Sequence, residues 1–339
     1  METRKLQEVG GGTFTVSIPK GWATNHGFEV GMELHLYTHR DGSILIRSTD
    51  ADLSCLDDAT VDVDGGGTDA VKRAVRTAHA IGFETITLRR VGTFSDAERK
   101  AARSTVRDLI GTNILSESDA EITIRHLLDT SSVSVRQSIV QLQYVVVSLL
   151  RDATEAFVDA ANARPSIRDR ADEARRSAEM VSRHFSRSLV SHAELDALDV
   201  SRPDLFTYYA IACHLETVSD QAVRIARTGE KVSEPPADTA ATDVCSVADD
   251  VACAVDDAVT AVLESDTENV HQARDRCDDA IDGIATVENR LYDGSMSGEI
   301  PAAVALSTTL CHLRRTAECG LSIADVAARS AIRADNIDG

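Results

Sequence analysis

The sequence predicts a multidomain α+β protein: an N-terminal β module, a small α/β middle unit, and a C-terminal all-α half of six helices forming a duplicated three-helix bundle. Three observations predict it. Apolar residues alternate with period two in residues 1–48, strand and helix patterns mix over 52–130, and stripes stepping by three and four run almost unbroken after Ser131. The length, 339 residues, suits two or three domains, each with its own core. A hydrophobic content of 43% excludes a wholly disordered chain, and 4% aromatics points to helices packed with Ala, Val and Leu.

In the N-terminal module, Phe14, Val16 and Ile18 alternate with Thr13, Thr15 and Ser17, the pattern of a half-buried strand. Pro19 stands where a helix can begin, and Lys20 to His26 make a turn or two closed by Gly27. Met32, Leu34 and Leu36 alternate again, Asp41-Gly42 supplies a tight turn, and Ile44 and Ile46 return on the next strand. A segment of this size cannot bury a core alone, so an obligate dimer with interleaved strands is expected.

Arg4-Lys5-Leu6, the run from Gly10-Gly11-Gly12-Thr13 through Ile18-Pro19-Lys20-Gly21-Trp22-Ala23, Gly27, Gly31 and Asp41-Gly42-Ser43 carry a resemblance. Residues 1–48 resemble the AbrB/MazE/SpoVT swapped-hairpin DNA-binding domain. The resemblance implies a twofold dimer laying strands and basic loops on double-stranded DNA. Arg4, Lys5 and Lys20 match its basic positions, and Arg40 stands in the hairpin loop. Charge gives this module a separate character: Arg4, Lys5, Lys20, Arg40 and Arg47 balance Glu2, Glu8, Glu29, Glu33 and Asp41, so the rest of the chain carries the whole net charge of −20. A polyanion meets least repulsion at such a neutral island. In molar salt, screening over about 3 Å leaves more of the affinity to base-edge contacts and water release. The other reading is that these cations are ordinary solvated charges and the module only dimerises the chain.

The middle unit reads as a strand at Ala59–Val63, a helix from Asp69 to Ile81 capped by Thr68, a strand at Thr85–Arg89, a helix from Ser95 to Ile110, and strands near 113–116 and 120–125. Gly65-x-Gly67-x-x-Ala70 superficially fits a dinucleotide loop. Asp64 and Asp69 flank it and repel phosphate, and the next strand ends in Arg89-Arg90 where a ribose-binding acid is needed. A small-ligand sensing role for this unit stays open.

In the helical half, Val135, Ile139, Leu142, Val146 and Leu149 begin the first stripe, and Ala171, Ala174, Ala178, Val181 and Phe185 form the second. A third follows Pro203, with Ile211, Leu215, Val218 and Ala222. After the Ser233-Glu234-Pro235-Pro236 linker, stripes from Val244, from Val270 and from Leu306 complete six helices, packed near-antiparallel. Cys213-His214-Leu215 returns as Cys311-His312-Leu313, and Ile225-Ala226 as Ile323-Ala324, both 98 positions later (213 to 311, 225 to 323). The repeats span about 131–230 and 240–333.

This duplication, over Val133 to Arg333, resembles the PhoU family of phosphate-uptake regulators, whose hallmark is an E/D-x-x-x-D element in the third helix of each repeat. Here it is Glu216-Thr217-Val218-Ser219-Asp220, and the resemblance implies a divalent metal or iron at Glu216 and Asp220. Residues four apart share a helix face, so these two can bring oxygens to one cation. They lie opposite the apolar stripe, on an expected exposed face, where two solvated carboxylates look the same. The second repeat departs from the motif with Arg314 and Glu318, which are expected to pair with each other. Asp275, Asp278, Asp279 and Asp282 crowd one helix and read as a hydrated acidic face.

The charged residues are 35 basic against 55 acidic, with Lys only at positions 5, 20, 72, 100 and 231. That surface resembles proteins of a molar-salt cytoplasm. Seven Cys without a C-x-x-C read as small core residues in a reduced compartment. No apolar run approaches bilayer length and no secretory leader is evident, so a soluble cytoplasmic protein is expected. No paired nucleophile and base, P-loop or H-E-x-x-H is present, and no enzyme is expected. The functional expectation is a phosphate-responsive negative regulator that binds DNA as a dimer. Two alternatives stand beside it: a non-DNA adaptor docking on a phosphate transporter ATPase or sensor kinase, and a general AbrB-type transcription factor.

Overall fold

In a computed structural model the chain divides into two compact units, Met1–Cys55 and Leu56–Gly339. Residues 3–38, 42–48, 56–159, 164–231, 236–264, 267–293 and 300–337 are described. The chain is α+β, as its sequence pattern predicts, with small sheets before a long helical half.

The first unit opens with a hairpin of β1 (Gln7–Val9) and β2 (Thr13–Thr15), which pairs Gln7 with Thr15 and Val9 with Thr13. Gly10 and Gly11 turn it at φ 67° and 75°, a region open to glycine and strained for other residues. The strand expected to reach Ile18 ends at Thr15, because β1 offers only three pairing residues. Pro19, at φ −58°, leads into α1 (Lys20–Asn25). Next, β3 (Leu34–Thr38) pairs antiparallel with β4 (Ile44–Ser48), Leu34 opposite Ser48. Asp41 of the expected turn lies outside the described residues.

The second unit begins with β5 (Asp58–Asp62), α2 (Gly67–Ile81) and β6 (Thr85–Arg89), a crossover that leaves β5 and β6 parallel. It continues through α3 (Asp96–Asp108) to the hairpin of β7 (Thr112–Glu117) and β8 (Glu121–His126). The strand order is β5-β6-β8-β7. Val71 and Val75 of α2 pack on Ile86, Leu88, Ile122 and Ile124, sealing one face of the sheet. Ser95 caps α3 in a reciprocal arrangement with Glu98. Thr68, expected to cap α2, is instead inside it; Gly66 takes the cap position at φ 91°. Gly65, Gly66 and Gly67 all adopt positive φ, so the turn is made by glycine backbone before Thr68 is reached.

Among the described residues seven α-helices follow: α4 (Val135–Val158), α5 (Arg164–Ser188), α6 (His192–Leu198), α7 (Arg202–Gly229), α8 (Asp238–Glu264), α9 (Thr267–Tyr292) and α10 (Ile300–Ile337). The short α6 is additional to the six expected. Within each repeat the three long helices pack together, and α7 also packs on α10 and α4 on α8. Both apolar cores therefore draw on both repeats: one joins Leu142 and Leu215 to Val255 and Ile323, the other Leu150 and Ile225 to Val251 and Leu310. The repeat-related Leu215 and Leu313, and Ile225 and Ile323, are all fully buried, which is why the 98-residue echo preserves them. Finally, α2 packs on α5, seating the sheet layer on the first repeat.

Six of the seven Cys are described and all are free thiols. Cys277 and Cys319 are core residues as expected, but Cys245 and Cys311 are exposed, since each sits on the outward side of its helix. Among the described residues, no helix is long and apolar enough to cross a membrane.

Candidate functional site

In the N-terminal unit Arg4, Lys5 and Lys20 are exposed, Lys20 beginning α1; Arg40 lies outside the described residues. Beside these cations is apolar surface. Trp22 stacks on His26 with ring centroids 4.4 Å apart and lies near Phe28, while His26 Nδ1 donates to the Trp22 carbonyl at 2.8 Å. Arg4, Ile18, Trp22, Phe28, Ile44 and Ile46 line an open cavity of about 350 Å³. Among the described residues of this unit only Tyr37 is buried, whereas Phe14 is 67% exposed and Leu36 63%. A single copy thus leaves its best core-forming side chains in water, at about 25 cal/mol per Å² of apolar surface.

On α7, Asp220 is exposed as expected, but Glu216 is half-buried. A stripe read along α7 alone misses the cover that the neighbouring α5 provides. Burial raises the Glu216 carboxyl pKa first, followed by the charges of Glu179 and Asp220, with Arg175 and Arg76 opposing. Glu179, on α5, is raised by burial too and accepts a short hydrogen bond from Arg76 of α2. The two carboxylates thus border a polar seam in which Arg76 already engages the third nearby acid. Among the described residues no group of three or more His, Cys, Asp or Glu side chains is placed to hold a metal ion. Glu216 and Asp220 alone do not make a fitting donor set; Glu216 is the one that feels Glu179 across the seam.

In the second repeat, Arg314 and Glu318 do not pair with each other. Arg314 Nη2 donates to Glu288 Oε2 of α9 at 2.6 Å, and Glu318 accepts from Arg315 at 3.1 Å. Arg314 is half-buried and turned toward the neighbouring helix, which supplies a closer acid than its own next turn. His312 Nδ1 donates to Gln221 Oε1 at 2.9 Å, tying α10 to α7. Asp275, Asp278, Asp279 and Asp282 are all exposed along α9.

At the Gly65–Gly67 loop, Asp64 Oδ1 accepts from the Val91 amide at 3.1 Å, while Arg89 is held by Asp62 at 2.8 Å and Arg90 by Glu98. Carboxylates therefore occupy the loop's surroundings and neutralise both arginines.

A polar seam that the sequence did not announce joins α5 to the sheet layer. Arg183, 1% exposed, donates to the carbonyls of His79 and Phe83 at 2.7 and 3.0 Å. Arg187 donates to the Gly82 carbonyl at 2.6 Å and to Glu194 Oε2 at 2.8 Å, and His184 Nδ1 donates to Glu194 Oε1 at 2.6 Å. The only sequence signal was Arg183 and Arg187 four residues apart, on a helix whose apolar stripe runs along another side.

No family model matches the chain, and no curated protein matches it. Among solved structures, the chain is similar to the phosphate transport system regulatory protein PhoU from Streptococcus pneumoniae, at 14% identity and a TM-score of 0.40, over 58% of this chain and 96% of that one.

Proposed function

We propose that this chain is a dimeric, phosphate-responsive regulator that acts by binding and not by catalysis, its paired N-terminal units contacting double-stranded DNA. The observation that carries the reading is the apolar surface of that unit: Phe14, Val16, Trp22, Leu36 and Ile44 are all exposed in one copy. A second copy interleaved with the first would cover them, as the sequence resemblance to swapped-hairpin domains implies. Twofold pairing would then set Arg4, Lys5 and Lys20 in symmetric pairs, the arrangement that two half-sites on a duplex require. Charge supports the same surface, because residues 1–48 are neutral while the remainder holds the net −20. The phosphate link rests on the resemblance of the helical half to phosphate-uptake regulators.

The test is a gel shift and footprint with the full chain in high KCl, on promoter fragments of phosphate-uptake genes, comparing the parent with an Arg4→Ala/Lys5→Ala variant. The parent is expected to shift the fragments and the variant to shift them weakly. Equal binding by both would remove these cations from the interface. Absence of binding, with phosphate-dependent transcripts still altered in a deletion strain, would favour docking on a transporter ATPase or sensor kinase.

A further inference from the structure

The apolar core of the sheet layer and the two cores of the bundle share no side chain: Val71, Val75, Leu88 and Ile122 belong to the first, while the bundle cores draw on residues from Val133 onward. What joins layer to bundle is polar. Arg183 grips the carbonyls of His79 and Phe83, Arg187 that of Gly82 and, at 3.3 Å, the Glu84 carboxylate, and Arg76 reaches across to Glu179. Small polar interfaces within one chain hold through a few directed bonds, and relative motion of the joined parts is their ordinary behaviour.

The seam also carries a penalty. Six side-chain N or O atoms among the described residues are buried without a hydrogen-bond partner, and four of them stand here: His79 Nε2, His126 Nδ1, Arg183 Nε and His184 Nε2. Two come from the layer and two from α5. Docking keeps these nitrogens out of water and gives no bond in return, which opposes the arginine grips. The chain is jointed to match. The Leu127 amide donates to the Gly111 carbonyl at 2.7 Å and so belongs to the sheet, whereas the turn Thr130–Ser132 packs on α6 of the bundle, leaving 128–129 as the joint. At the layer's other end, the carbonyls of Leu56 and Asp57 accept from the Glu84 and Thr85 amides at 2.8 Å, beside the segment that the arginines grip.

We propose that residues 56–127 form a latched module that undocks from the helical bundle as a folded body, turning about 128–129, with Arg183 and Arg187 as the latch. Glu194 of α6 steadies Arg187 at 2.8 Å. Because the first unit is tethered through this layer, undocking loosens the tether. That consequence rests on the regulatory reading; the latch itself is tested without DNA, so either can fail alone.

A staple supplies both states in one protein. A Cβ built at Gly82 lies 3.5 Å from Arg187 Cβ, a separation that a disulfide spans, so Gly82→Cys/Arg187→Cys closes on oxidation and opens with dithiothreitol. The full chain is pulsed with diethyl pyrocarbonate, which acylates neutral imidazole. His79, 3% exposed, reports undocking, and exposed His271 is the reference. Thiol labelling of buried Cys277 reports opening of the bundle, and amide exchange in β6 and β8 reports unfolding of the sheet, each scaled to the urea-unfolded chain. In the parent, His79 is expected to open about ten times as often as Cys277 while β6 and β8 keep their protection. Arg187→Ala should raise His79 labelling about tenfold for the lost charged hydrogen bonds, the reduced double variant should do likewise, and oxidation should bring it below the parent. Equal protection of His79 and Cys277, exposure of β6 and β8 together with His79, or labelling indifferent to Arg187→Ala and to oxidation would overturn the proposal.

Discussion

Arg183 of α5 donates to the main-chain carbonyl of His79 in the last turn of α2, 2.7 Å away. Helix C-termini carry unpaired carbonyls and partial negative charge, so a guanidinium there answers both. The same side chain reaches the Phe83 carbonyl beyond the helix. Replacement Arg183→Ala is expected to destabilise the second unit by about 3 kcal/mol, the scale of removing hydrogen bonds to a buried charge. Urea midpoints measure it; Arg183→Lys should recover only part, since an ammonium lacks the fork that spans two acceptors.

Gly82 ends α2 at φ 113°, and a Cβ there would lie 2.3 Å from Arg187 Cγ. Gly82→Ala therefore combines backbone strain with a clash and is expected to cost about 2 kcal/mol or more. Gly283, inside α9, supplies the contrast: its nearest neighbour would be Val247 Cγ2 at 3.9 Å. Gly283→Ala should stabilise by about 0.5–1 kcal/mol through helix propensity. Thermal melts of the two variants are expected to move in opposite directions.

Acid should weaken the sheet layer. Burial first, then neighbouring arginines, lowers His79 from 6.5 to about 3 and His126 from 6.5 to about 4. Between pH 6.5 and about 4 the unfolded chain binds protons that the folded chain refuses, so stability falls as pH falls. The slope is at most about 1.4 kcal/mol per pH unit for each histidine. Urea midpoints at pH 7, 5.5 and 4.5 check it, and a His79→Gln variant should show a shallower decline.

For Glu216 the sign reverses. Its carboxyl pKa is raised by burial and by Glu179 and Asp220, so the charged form is the penalised one. Glu216→Gln is expected to stabilise the chain by about 0.5 kcal/mol at pH 8, discounted for partial exposure, with the gain fading as pH falls and the parent protonates. Metal analysis by mass spectrometry should find equal content in the parent and Glu216→Ala; a loss in the variant would restore a metal role.

Dimerisation through the first unit predicts a monomer from Ile44→Glu, read by light scattering of the full chain. If two copies hold one duplex, removing Lys20 should flatten the logarithmic salt dependence of DNA affinity by about 0.9 for each phosphate it no longer neutralises.

The helical half was legible because its stripes are long: Leu142, Leu149, Leu215 and Val218 were placed in the core by spacing alone and are buried. Strand Thr85–Arg89 and the helix starting at Ser95 were legible for the same local reasons, though Ser95 itself proves to be the cap. What escaped depends on neighbours remote in sequence. Glu216 is covered by α5, Arg314 turns to Glu288 of another helix, and Thr68 yields its cap to three glycines with positive φ. Arg183 was least legible: a buried guanidinium bonded to carbonyls about a hundred residues away leaves no periodic trace.

Because Arg183 grips backbone oxygens and not side chains, almost any amino acid at positions 79 and 83 can serve as its acceptor. Evolution is therefore free to rewrite much of the gripped segment, while only an arginine at 183 spans both acceptors. Distant descendants of this chain should be easier to trace by an Arg-x-x-x-Arg interval in the second long helix of the bundle than by any resemblance in the sheet it holds.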